Sequence, residues 1–157
     1  MITLRPATAA DQDSIGQIIR EAGINPMGLN WERFIVAEDN GKIVATGQVK
    51  PHRNGTRELA SIATIPEYQK QGIATKIIQA LLEREKPPLY LMTEHRTAGF
   101  YERFGFYKLE PDDIPADLKG FYRLGNLMGR LYGLFRRERF YIVIMKQSMP
   151  QPTTEIQ

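Results

Sequence analysis

The 157-residue sequence has no cysteine, only two histidines and a single tryptophan. Without cysteine there is no disulfide framework, no thiolate nucleophile and no cysteine metal ligand. His52 and His95 are too few and too far apart in sequence to suggest a metal site. No apolar run approaches the roughly 20 residues needed to span a bilayer. The first eight residues lack both the basic start and the apolar centre of a signal peptide, so a cytoplasmic location is expected. None of the three serines has the flanking glycines of a nucleophile elbow. What remains is an ordinary globular composition, 42% hydrophobic and 25% charged. A single domain over residues 1–147 with a flexible tail at 148–157 is the simplest organisation. No internal repeat or low-complexity segment interrupts it.

The net charge is +3, and its distribution is uneven. Six basic residues (Lys119, Arg123, Arg130, Arg136, Arg137, Arg139) stand against Glu138 between positions 119 and 139. Such a patch attracts phosphate, nucleic acid or acidic lipid, although no nucleic-acid recognition motif accompanies it.

Strands are expected at residues 2–5, 34–38, 42–49, 57–65, 89–92 and 140–145, from β-branched and aromatic content bounded by turn residues. Asp39-Asn40-Gly41 and Asn54-Gly55 mark hairpin turns. Ile15, Ile18, Ile19 and Ala22 recur at helical spacing, with Thr8 or Asp11 as cap and Gly23 beyond the end. A second helix follows Gly72, with Ile73, Ile77, Ile78, Leu81 and Leu82 on one face. A short third helix covers 97–104, and a short helix is expected near Trp31. The architecture is α/β (α+β): a central mixed, mostly antiparallel sheet of about six or seven strands with helices on both faces.

The strand at 58–65 reads as buried on both sides, with Glu58, Ala60, Ile62 and Thr64 on one face. Burial would raise the pKa of a carboxylate at its start, which suits Glu58 to general-base work. A solvated, idle glutamate is the plainer alternative. The following loop, Gln69-Lys70-Gln71-Gly72-Ile73-Ala74, presents consecutive amides at the start of a helix. Gly72 and Ala74 allow close approach, Lys70 supplies a cation and Thr75 a hydroxyl. Together they suit a phosphate-bearing ligand. The loop lacks the Gly-Lys-Ser/Thr of a nucleoside-triphosphate site and the triple glycine of a dinucleotide site.

In sequence order, Ile65-Pro66-Glu67-Tyr68-Gln69-Lys70-Gln71-Gly72-Ile73-Ala74 resembles the Pro-x-Tyr-Arg/Gln-x-x-Gly-x-Gly/Ala loop of the GNAT superfamily of N-acetyltransferases. Ala98-Gly99-Phe100-Tyr101-Glu102-Arg103-Phe104-Gly105-Phe106 is similar to that family's Ala-x-x-Phe-Tyr-x-x-x-Gly-Phe segment. The resemblance covers residues 2 to about 110, and the strand at 140–145 fits the family's closing strand. It implies acetyl-CoA as cosubstrate. The cosubstrate would lie between the strands at 58–65 and 89–94. Backbone groups of Ile62 and Thr64 would meet its pantetheine, and amides from Gln69 to Thr75 (Lys70, Gln71, Gly72, Ile73, Ala74 between) its pyrophosphate. The Ile62 amide would serve as oxyanion donor.

The same resemblance makes Tyr101 the acid for the leaving thiolate. It also gives Glu58, eleven residues before Gln69, the spacing of the catalytic glutamate in some protein-acetylating members. Glu94 stands where many members carry asparagine, and Gln69 where arginine is commoner.

His95-Arg96-Thr97-Ala98 looks like the Arg-Thr-Ala segment of amino-acid N-acetyltransferases, which implies Arg96 as a clamp for an acceptor carboxylate. His52, beside the hairpin, is a candidate to line the acceptor site. Residues 116–137 form a helical insertion before the last strand, with Gly125, Gly129 and Gly133 on a four-residue period. Four roles are open to it: a helix docked on the core, a lid, a homodimer contact, or a basic amphipathic helix on a membrane surface. The leading expectation is acetyl transfer to a primary amine, the acceptor being a small metabolite or amino acid. A protein or peptide acetyltransferase and a non-catalytic acyl-CoA sensor are the alternatives, with a nucleic-acid-binding module third.

Overall fold

A computed structural model of the chain describes residues 1–136 and 139–147; Arg137, Glu138 and the expected tail at 148–157 lie outside the described residues. The chain forms two compact units, Met1–Lys86 and one beginning at Pro87.

In the first unit β1 (Ile2–Pro6), β2 (Phe34–Asp39), β3 (Lys42–Pro51) and β4 (Arg57–Thr64) pair in that order, each antiparallel to the next. The β2–β3 turn has positive φ at Asn40 and Gly41, the two-residue geometry that Asn-Gly favours. Helix α1 (Gln12–Glu21) buries Ile15, Ile18 and Ile19, while Ala22 stays exposed at its end. Helix α2 (Ile73–Arg84) buries Ile73, Ile77, Ile78 and Leu81. Gly47 on β3 lets α2 approach, since an added Cβ would sit 2.6 Å from Ile77 and 3.0 Å from Leu81. Its neighbour Gln48 points to the opposite face, where its amide reaches the Gly28 carbonyl at 3.4 Å.

The second unit pairs β5 (Tyr90–Glu94), β7 (Ile142–Gln147) and β6 (Phe106–Lys108) in the order β5-β7-β6, again antiparallel. The three-residue β6 has no counterpart among the sequence expectations, because it is too short to show alternation. The last strand starts at Ile142 rather than Phe140. The short helix α3 is Ala98–Glu102, preceded by a 3-10 turn at His95–Thr97. The insertion forms one helix, α4 (Ala116–Arg136). Leu118 joins Ile114 and Ile144 in a small core flanked by Met92, Leu109 and Tyr122. The glycine period has a structural use: added Cβ atoms would collide with Ile142 at Gly125 and lie 2.6 Å from the Phe140 carbonyl oxygen at Gly129. Asn126 completes the docking by pairing with both backbone groups of Ile142, accepting at 2.8 Å and donating at 3.2 Å.

Asp11 anchors the start of α1. It takes bonds from the Thr8 amide at 2.7 Å and from Arg5 at 2.7 and 3.0 Å. The Arg5 guanidinium holds the Asp11 carboxyl down at about 2. A carboxyl depressed in the folded state contributes stability above its unfolded pKa and loses it as pH falls through the folded one. Asp11→Asn is therefore expected to cost about 1–3 kcal/mol at neutral pH, with the gap to wild type closing between about pH 4 and 2. Urea unfolding across that range checks it.

Candidate active site

Strand β4 carries the candidate residues of the first unit, and its backbone departs from regularity at one residue. Lys50, Gln48 and Thr46 on one face of β3 oppose Glu58, Ala60 and Ala63. A two-residue step on β3 is thus met by a three-residue step on β4, which is a β-bulge. Ser61 within it has φ of +57°, a conformation that costs a non-glycine residue about 1–3 kcal/mol. Side chains from β3 hold it there. The Thr46 hydroxyl donates to the Ser61 carbonyl at 3.0 Å, and the Gln48 amide donates to the Ser61 hydroxyl at 3.0 Å.

The bulge corrects the simple alternation. Glu58 and Ala60 share their face with Ala63, whereas Thr64 opposes Ala45 on the face of Leu59. Ile62 turns toward Gly47 and α2, its Cδ1 2.7 Å from the Cβ position there. The strand is nevertheless buried or half-buried along its whole length, as expected. The Thr64 hydroxyl is buried with no hydrogen-bond partner among the described residues.

Glu58 is not at a solvated strand end. It is 6% exposed, and its carboxylate lies 2.7 Å from His52 Nε2. The hairpin positions that histidine, with the His52 amide bonding Thr56 and its carbonyl receiving Gly55. The sequence suggested both residues separately. Their pairing sets an imidazole nitrogen against the buried carboxylate.

After β4 a 3-10 turn at Pro66–Tyr68 leads into the loop. Lys70 and Gly72 both have positive φ, +60° and +77°. Gln69 donates to the Thr64 carbonyl at 3.0 Å and Gln71 to the Glu67 carbonyl at 3.2 Å. The two glutamines therefore brace the loop backbone. Gly72 caps α2, no side chain bonds the cap, and the first turn holds no acid. The opening amides of α2, from Ile73 through Ala74 to Thr75, thus lie at the positive end of a 12-residue helix with no side-chain cap and no acid in its first turn. This donor set fits a pyrophosphate.

Tyr101 lies in the second unit. It is half-buried on α3, edge-on to Phe100 at 5.1 Å and to Phe106 at 6.4 Å. Burial pushes its phenol pKa up, so the hydroxyl keeps its proton at neutral pH. Arg96 is mostly exposed and ion-paired with Glu94, so the expected carboxylate clamp already has a carboxylate on it. His95 stacks on Tyr141 at 4.0 Å, and its amide donates to the Tyr141 carbonyl. That histidine ties the end of β5 to the approach to β7. Sequence reasoning missed the bulge and its supports, Thr46 and Gln48, since neither glycine nor proline marks Ser61.

The profile of the acetyltransferase (GNAT) domain family matches residues 30–108. Half the chain lies in that match, and the protein belongs to the GNAT acetyltransferase family. It is 38% identical over 88 residues to N-alpha-acetyltransferase 30 of Schizosaccharomyces pombe, covering 48% of this chain and 59% of the relative. The fold resembles N-acetylglutamate synthase of Neisseria gonorrhoeae, solved with coenzyme A and N-acetyl-glutamate (TM-score 0.68, 18% identity, 95% of this chain and 36% of that one). It also resembles the ribosomal-protein-S18-alanine N-acetyltransferase of Escherichia coli (TM-score 0.64, 18% identity, 100% and 99% covered). The chain thus spans little more than half of the curated relative and about a third of the synthase.

Gly72 has open space around its Cβ position, so only its φ restricts substitution. Gly72→Ala should cost about 1–2 kcal/mol from the left-handed conformation alone. An unchanged urea midpoint would show that the loop relaxes to another conformation.

Proposed function

We propose that the protein transfers an acetyl group from acetyl-CoA to a primary amine by direct attack. The observation that carries this reading is the uncapped, acid-free start of α2 with positive φ at Lys70 and Gly72, inside the segment matched by the acetyltransferase family. That match crosses from one compact unit into the other, which supports a single catalytic domain over residues 1–147.

Bound acetyl-CoA supplies an acetyl group activated as a thioester. The amides from Gln69 to Thr75 and the Lys70 ammonium hold its pyrophosphate. Backbone groups of Ile62 and Thr64 line the pantetheine, and the Ile62 N–H donates to the carbonyl oxygen as negative charge develops there. An ammonium is no nucleophile, so Glu58, steadied by His52, takes the amine's proton. Tyr101 gives its phenolic proton to the leaving sulfur, a transfer that burial suits by keeping the phenol neutral.

The first acceptors to test are small metabolites and free amino acids. A peptide N-terminus is the second reading, favoured by the name of the Schizosaccharomyces pombe relative and by the engagement of Arg96 with Glu94.

Thiol release from acetyl-CoA over a panel of amino acids, amines and short peptides tests the function. Tyr101→Phe should keep the fold and lower kcat about 100- to 10,000-fold. Full activity in that variant would remove Tyr101 from the acid role. Tight coenzyme A binding with no release over any acceptor would favour a sensor. His52→Ala should lower kcat/KM with the fold intact, whereas unchanged turnover would leave the pair without a part in proton transfer.

A further inference from the structure

Helix α4 docks through Gly125, Gly129 and Asn126, and among the described residues its opposite side is left exposed. Phe121, Leu124, Leu127, Met128 and Leu131 are each 43–60% exposed there. At 100° per residue these five occupy an arc of about 120°. Lys119, Arg123 and Arg130 fall beside that arc, between it and the docked face. Arg123 and Arg130 also line a groove of about 450 Å³ with Tyr122, Asn126, Phe140 and Tyr141.

The charge around this surface is predominantly basic, with Asp117 in the first turn of α4 the one acid of that helix. No Asp or Glu occurs from Leu118 to Arg136, and residues 139–147, which include the strand packed against α4, contribute Arg139 and Lys146 with no acid. Among the described residues no helix is long and apolar enough to cross a membrane, so the apolar arc is not a span. From this pattern we infer that α4 is a docking surface for an anionic lipid membrane, lying in the interface plane. Its leucines, methionine and phenylalanine would enter the acyl boundary, with the arginine-lined groove against lipid phosphates.

The charge pattern decides between occupants. Two copies meeting through this arc would bring their basic flanks together, with Asp117 the one acid of each α4 against Lys119, Arg123 and Arg130. An anionic surface is complementary to the same flanks, and apolar area and basic charge add in binding it. This inference is independent of the acetyl-transfer reading, because none of these residues is placed in that site.

Cosedimentation of the full chain with vesicles of phosphatidylcholine alone, and of phosphatidylcholine with phosphatidylglycerol, tests it. Binding to the anionic vesicles only, weakening as salt is raised, is expected. The double variant Arg123→Gln/Arg130→Gln should bind about 30-fold more weakly. Leu124→Ser/Leu131→Ser should lose at least as much, with an unchanged thermal melt because both side chains are exposed. Absence of binding at low salt would overturn the inference, as would equal binding to neutral vesicles. So would undiminished binding of the leucine variant, which would mean charge alone. A lipid-free, concentration-dependent dimer that the leucine variant abolishes would assign the face to a second copy instead.

Discussion

The bulge at Ser61 is the constraint on which the site in the first unit depends. It forces a residue with a Cβ into the left-handed region and persists because β3 answers each displaced group. Thr46 takes up the carbonyl and Gln48 the hydroxyl. Upstream of it, Glu58 and Ala60 stay in step with Lys50 and Gln48; downstream, Ala63 and Thr64 fall into step with Thr46 and Ala45. One inserted residue therefore lets the same strand present a carboxylate to the hairpin end and a differently phased backbone to the loop. The strain is local, and buried side-chain hydrogen bonds of roughly 1 kcal/mol each offset it.

Two kinds of electrostatics follow from that strand. At its start a buried carboxylate would be costly alone, and the imidazole of His52 relieves that cost by pairing with it. Past its end, the first amides of α2 have no side-chain cap, which in most helices is a loss that a side chain repairs. Here Gln69 and Gln71 spend their amides on the loop backbone instead, and no acid enters the first turn. A positive helix end left open in this way is a place for an anion.

Helix α4 shows how one residue pattern serves two ends. Glycines at a four-residue spacing bring the helix backbone close to β7 and the residues leading into it, where Ile142 and Phe140 would collide with any larger side chain. Docking on that narrow face leaves the larger apolar face outward. Tight packing of small residues and exposure of large ones are therefore consequences of the same spacing.

The sequence by itself determined the order of the longer strands and helices, the α/β class, the loop before α2 and the tyrosine segment, because periodicity and turn residues are local properties. It also marked Glu58 and His52 as separate candidates. Only the tertiary structure decided that they form a pair, since residues six apart in chain meet only when the hairpin closes. Arg96 is the converse case: the sequence offered it as a clamp, and folding set Glu94 against it. Nothing local announces the Ser61 bulge, whose stability resides in Thr46 and Gln48, more than ten residues away. Side-chain type is written in the chain, but register and partnership are cross-strand quantities, and those exist only once strands have paired.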